Sequence, residues 1–178
     1  MSETPEPVRV VITGAPGAGK SALLTELAGR GYATVPEAAR VILQQPGGMA
    51  LREKKPQGFA RAMLEADLAS HAAAKYSPTI FDRGFADIVG FLRLEGCQVG
   101  DEIIRAARRS RYSGPIFRAP PWRDIYTRDD QRIQSWDEAV ASDAAVCAAW
   151  REYGYELVDL PLTDIAGRAD FLLTMAGG

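Results

Sequence analysis

The sequence predicts an α/β fold, a parallel β-sheet flanked by helices. Two observations carry that expectation. Short apolar runs, most of them rich in β-branched residues, alternate with longer segments of helical spacing. A glycine-rich turn joins the first of those runs to the first helical segment, as a strand-to-helix crossover requires. The 178 residues fit one domain with a substantial core.

Residues 1–7, with Glu3, Pro5, Glu6 and Pro7, are acidic and proline-rich, unlike a secretory leader, and read as a frayed lead-in. The first strand is expected over Val8–Thr13 and the first helix from about Lys20. Further strands are expected at Ala33–Val35, Thr79–Phe81, Pro115–Phe117 and Tyr155–Leu160. Phe59, Met63, Ala66 and Ala73 mark one helix face between them, and Phe85, Ile88, Val89 and Leu92 a second. Trp136, Val140, Ala144 and Cys147 mark a third, opened by a Ser135/Glu138 capping box. These stripes, and Trp150, read as core. Thr163 is the expected cap of a last helix reaching about Thr174. Gln45–Gly58 and Ala119–Ser135 read as mobile surface loops, the second serving as a lid.

Composition excludes several classes. A net charge of −2 gives no basic field for nucleic acid, and nothing approaches a membrane span. Two distant cysteines, Cys97 and Cys147, and one histidine, His71, provide neither a disulfide framework nor a zinc cluster. His71 reads as a helix residue in an alanine-rich stretch. The expected setting is cytoplasmic.

Gly14, Gly19, Lys20 and Ser21 fill the pattern G-x-x-x-x-G-K-[ST] between an apolar run and a helix, the context that marks a phosphate-binding loop. Residues Gly14, Ala15, Pro16, Gly17, Ala18, Gly19, Lys20, Ser21 and Ala22 are therefore the expected nucleotide cradle. Its amides converge on one anionic site, and the helix adds its positive end. Lys20 is expected to reach the β- and γ-phosphates, and the Ser21 hydroxyl to meet Mg²⁺. Glycines at 14, 17 and 19 do not fit the dinucleotide pattern G-x-G-x-x-G.

Ligands of open parallel sheets sit beyond the carboxyl ends of the strands. Asp82 ends the run Thr79–Phe81 and is the expected second Mg²⁺ ligand; the bland alternative is a strand-end aspartate capping the next helix. Arg83 follows it, where water-hydrolysing ATPases usually place a glutamate. A substrate hydroxyl acting as nucleophile would make that glutamate unnecessary. Glu37, leaving the second strand, is the candidate base, with Arg40 three residues on facing the same cleft. The alternative has Glu37 complementing a helix N-terminus and Arg40 in a surface ion pair. Arg128 and Arg132, spaced i, i+4 in the lid, are candidates to neutralise charge developing on the γ-phosphate; a salt-bridged turn is the alternative. Arg118 and Pro120-Pro121 leave the fourth run. Arg105, Arg108 and Arg109 read as a solvated helix end, and Trp122 and Tyr126 as anchors of the proline-rich loop.

The spans Ile12–Thr25, Val35–Val41, Phe81–Asp87, Phe117–Arg132 and Gly154–Pro161 carry the P-loop and the short motifs Pro-Glu-Ala-Ala-Arg, Phe-Asp-Arg-Gly, Ala-Pro-Pro-Trp and Gly-Tyr-Glu-Leu-Val-Asp-Leu-Pro. Through them the chain resembles the compact AAA-domain predicted ATPases, a group similar to the nucleoside-kinase and ribosylnicotinamide-kinase branch of P-loop kinases. The resemblance implies a three-layer P-loop NTPase sandwich with a five-stranded parallel sheet, order 2-3-1-4-5, and a mobile lid. It also implies transfer of a γ-phosphoryl group to a small hydroxylated acceptor, a nucleoside-like molecule in that branch. Glu37, and Asp82 with Arg83, match the family's base and its acidic-Arg pair, so Glu37, Arg40, Asp82 and Arg83 are the expected acceptor contacts. The chain departs in carrying Asp-Arg-Gly where nucleoside kinases usually carry Glu-Arg-Ser.

The expected function is thus an ATP- and Mg²⁺-dependent small-molecule kinase. ATP is expected ahead of GTP, because a chain without asparagine cannot carry the guanine-reading Asn-Lys-x-Asp motif. A nucleotide-dependent regulatory switch with slow hydrolysis is the alternative; an AAA+ motor would need a helical lid domain for which the chain is too short. The expected partner is a small-molecule acceptor, with no nucleic acid, and a homodimer is left open.

Overall fold

The structure, a computed structural model, describes residues 5–126 and 135–177. Its five strands are β1 (Arg9–Gly14), β2 (Ala33–Val35), β3 (Thr79–Asp82), β4 (Ile116–Ala119) and β5 (Leu157–Asp159). All pair in parallel, in the order β2-β3-β1-β4-β5 expected from the resemblance. The helices are α1 (Lys20–Gly29), α2 (Ala38–Leu43), α3 (Gly48–Lys54), α4 (Pro56–Ala73), α5 (Phe85–Leu94), α6 (Asp101–Arg109), α7 (Trp136–Glu152) and α8 (Ile165–Met175).

Strand β1 lies in the middle of the sheet and all six of its residues are buried. A strand covered on both faces needs apolar residues in both directions, which is why it reads as a continuous run. Val10 and Ile12 pack with Leu23, Leu27, Leu160 and Leu172 against α1 and α8. Val11 packs with Phe59, Phe81, Phe85 and Trp150 on the other face, under α4, α5 and α7. Strand order brings the carboxyl ends of β1, β2 and β3 side by side, with Ile12 in register with Asp82 and Val35 with Phe81.

Five local expectations are corrected. Gln45–Gly58 is not a loop: it carries α3 and the first turn of α4. Gly47, at φ +80°, opens α3, and a Cβ on Gly48 would stand 2.0 Å from the Ile42 carbonyl oxygen, so these glycines serve a tight helix-to-helix turn. Pro56 occupies the first turn of α4, where its missing N–H costs nothing. On α7 the buried face is Ala139, Asp143, Val146 and Trp150 with Cys147, while Val140 and Ala144 are exposed. Ala73 is likewise exposed on α4. The cap of α8 is Asp164, whose side chain accepts from the Gly167 amide at 2.8 Å, rather than Thr163. Arg118 belongs to β4 and is bound by Asp143 at 2.7 Å and Asp159 at 3.1 Å.

Candidate functional site

The turn after β1 wraps through Gly14, Gly17 and Gly19, all at positive φ. Gly14 could be nothing else: a Cβ there would lie 2.3 Å from the Ala119 carbonyl oxygen. Ala15 and Ala18 are buried in the α1/α8 core, which pins the loop from beneath. Helix α1 starts at Lys20, so its unpaired N-terminal amides open onto the loop. The Lys20 ammonium donates to the Ala15 carbonyl at 2.5 Å. Burial, with the nearby Arg83, lowers its pKa to about 8, against the pull of Asp82 and Glu37.

The strand ends bring the other expected residues into one place. Asp82 is buried at the end of β3, and its Oδ1 has no hydrogen-bond partner among the described residues. Burial raises its pKa to about 6 although Lys20 opposes the shift. Ser21, Thr25, Glu37, Arg40 and Asp82 line a single groove of about 330 Å³. Arg40 is exposed and donates to the Ser21 hydroxyl oxygen at 3.0 Å; among the described residues it forms no ion pair, contrary to the surface-pair alternative. Glu37 stands at the N-cap of α2, but its side chain makes no capping bond and turns instead to Arg83, at 3.5 Å.

Arg83 sits in the left-handed region at φ +67°, a conformation uncommon outside glycine and concentrated at functional sites. Its amide is fixed by the Ile12 carbonyl at 2.9 Å. Its guanidinium bridges Glu37 and Asp87, the latter at 3.2 Å. Burial works against its charge, but Glu37, Asp87 and Asp82 outweigh that and raise its pKa.

Asp87 was not singled out by sequence. It accepts from the Thr13 hydroxyl, from the Gly84 amide at 2.9 Å, from Arg83 at 3.2 Å and from the Trp150 indole at 3.2 Å. One buried carboxylate, on α5, thus ties β1, the turn after β3 and α7 together. Its signal was present: an acid three residues after Gly84 and four after Arg83 sits at the N3 position of α5. Gly84 also explains the departure from Glu-Arg-Ser. A Cβ there would meet the Tyr112 hydroxyl at 2.6 Å and its ring at 2.7 Å, so the tyrosine fills the space a serine would need.

Arg168 of α8 was also missed. It is 2% exposed, donates to the Ala18 carbonyl at 2.7 Å and to the Pro161 carbonyl at 2.9 Å, and stacks on Trp122 at 5.0 Å. Trp122 and Tyr126, whose ring meets Trp136 at 5.6 Å, both have anchoring contacts, as expected. Arg105, Arg108 and Arg109 are exposed on α6, the last two in its final turn and Arg105 at its middle. His71 is on α4 and donates to the Arg111 carbonyl at 2.9 Å. Arg128 and Arg132 lie outside the described residues. No helix of the described residues is long and apolar enough to cross a membrane.

The fold is shared with known proteins. Deoxyadenosine kinase from M. mycoides, solved with bound dATP, superposes at a TM-score of 0.69 with 14% identity, over 96% of this chain and 100% of that one. Thymidylate kinase from Candida albicans gives 0.68 with 12% identity, over 96% and 91%. NadR in complex with NR gives 0.68 with 14% identity, over 97% of this chain and 51% of that one. At such identities the likeness is one of fold. Comparison with curated protein sequences gives no match. A family model described as AAA domain matches residues 9–168, from the first strand to the arginine that grips the phosphate-binding loop. With its P-loop kinase-like sheet and that match over most of its length, the chain belongs to the AAA domain family.

Proposed function

We propose that the chain is an ATP- and Mg²⁺-dependent phosphotransferase that moves the γ-phosphoryl group to a hydroxyl of a small acceptor. The observation that carries this reading is Arg83. It stands where a hydrolase would need a water-orienting carboxylate, and it bridges Glu37 and Asp87 beside Asp82.

Loop amides and Lys20 bind the triphosphate and hold its γ-phosphoryl group against the strand ends. Asp82, with its unpartnered buried Oδ1, and the Ser21 hydroxyl are the residues that would hold Mg²⁺, which would draw charge from the β- and γ-oxygens. Glu37 accepts the proton of the acceptor hydroxyl as its oxygen bonds to the γ-phosphorus and the bond to the β-phosphate oxygen breaks, releasing ADP. Arg83 orients Glu37 and faces the transferring group; Arg40 and the lid residues Arg128 and Arg132 supply further positive charge. Nucleoside-like molecules are the acceptors to try first.

Incubation with labelled ATP and a library of nucleosides, sugars and alcohols tests the reading. Label is expected on at least one acceptor, with Glu37→Gln slowing transfer roughly 10²–10⁴-fold. Rapid hydrolysis without transfer, unchanged by Glu37→Gln, would overturn it.

A further inference from the structure

Lys20, Arg83 and Arg40 all approach the strand ends, and they differ in how firmly they are held. Lys20 is buried and donates to the Ala15 carbonyl, and Arg83 is fixed between Glu37 and Asp87. Arg40 is exposed and forms no ion pair among the described residues. Its one side-chain bond there runs from Nη1 to the Ser21 hydroxyl oxygen at 3.0 Å. That bond crosses the groove: Ser21 lies in the first turn of α1, on one wall, and Arg40 on α2, on the other. Its acceptor is one of the two residues assigned above to Mg²⁺. The second, Asp82, lines the same groove and keeps its buried Oδ1 without a partner among the described residues.

A guanidinium and Mg²⁺ cannot share one hydroxyl oxygen. Mg²⁺ draws its oxygen ligands in to about 2.1 Å and keeps waters on its other faces, which leaves no room for a planar cation beside it. Like charges at that separation also repel. Arg40 meets Ser21 and leaves Asp82 unmet, so it is the lesser occupant, and its exposed side chain is free to withdraw. We propose that Arg40 and Mg²⁺ alternate on the Ser21 hydroxyl. The loop then takes a metal-free nucleoside diphosphate with Arg40 in place, and admits Mg²⁺ only as Arg40 swings away. This deepens the phosphotransfer reading and rests on its assignment of Ser21 to the metal. Once displaced, Arg40 is released to the γ-phosphoryl group, so metal and arginine take their places in a set order.

The test follows ADP, which has no γ-phosphoryl group for the displaced Arg40 to meet, by calorimetric titration in EDTA and in saturating Mg²⁺. Wild type, Arg40→Ala, Ser21→Ala and the double variant are compared; Arg40 is exposed, so its truncation leaves the core intact. The quantity read is the factor by which Mg²⁺ strengthens ADP binding. Arg40→Ala is expected to raise that factor roughly five-fold or more, since the metal no longer has a rival. In the Ser21→Ala background the same truncation is expected to change it less than about two-fold, because the shared oxygen is gone. A factor left unchanged or lowered by Arg40→Ala would overturn the proposal. So would a rise that persists without the Ser21 hydroxyl, which traces it to charge alone, or wild-type ADP binding indifferent to Mg²⁺. None of these titrations needs an acceptor, so their failure leaves the labelling experiment above to decide phosphotransfer separately.

Discussion

On the α1/α8 face of the sheet the buried residues are mostly aliphatic, Val10, Ile12, Leu23, Leu27, Leu160 and Leu172 among them, and the binding groups above them belong to the main chain. On the α4/α5/α7 face, Phe59, Phe81, Phe85, Tyr112 and Trp150 enclose buried carboxyls from Asp67 and Asp87. The two halves of the cleft are made of different material. The phosphate half needs room for backbone, so its vulnerable positions are glycines. The other half needs side chains from distant segments, so its vulnerable positions are the atoms those side chains satisfy.

The largest expected effect sharpens this contrast on the side-chain half. Asp87→Ala would leave Arg83, the Thr13 hydroxyl, the Gly84 amide and the Trp150 indole without their common acceptor. Removing one partner from a buried charged network costs about 3–5 kcal/mol, and urea unfolding should register it. On the backbone half, Gly14→Ala should cost about 2–4 kcal/mol by the same measurement, through a forbidden φ of +120° and a clash with the Ala119 carbonyl. A backbone half that tolerated alanine there would erase the distinction.

The smallest effect concerns pH. His71 packs against Phe81, Phe85 and Tyr112, and desolvation lowers its pKa below 6.5, despite its bond to Arg111. The unfolded chain therefore binds this proton more readily than the folded one. The contribution of His71 is fully present above pH 6.5 and is lost as pH falls from there towards the folded-state value. Because Asp67 and Asp82 titrate with the opposite sign, the measurement is the difference between wild type and His71→Phe in thermal melts from pH 7.5 down to about 5. That difference should shift against wild type only on the acid side.

The same division governs what could be read in the sequence. The phosphate-binding loop is a local object: Gly14, Gly19, Lys20 and Ser21 are contiguous, so their spacing exposes them. The strands were legible too, because a sheet buried on both faces demands uninterrupted apolar runs. Glu37, Asp82 and Arg83 could be found by asking what leaves each strand. Asp87 and Tyr112 could not be grouped that way, since only helix packing brings α5 and the segment after α6 together. The face of α7 was misplaced because Asp143 sits within it, paired to Arg118, and a charge in a buried stripe hides the period. The glycines at 47 and 48 suggested a loop, although their role is to let α2 and α3 approach.

The grip of Arg168 on Ala18 and Pro161 has a consequence for the whole architecture. A single planar group near the carboxyl end of the matched region closes a ring of some 150 residues, clasping the first crossover to the last. The loop that follows the outer edge strand and the loop that follows β1 are therefore held by one side chain. Cutting that side chain back, as in Arg168→Ala, would release both loops at once without removing a single strand-to-strand hydrogen bond.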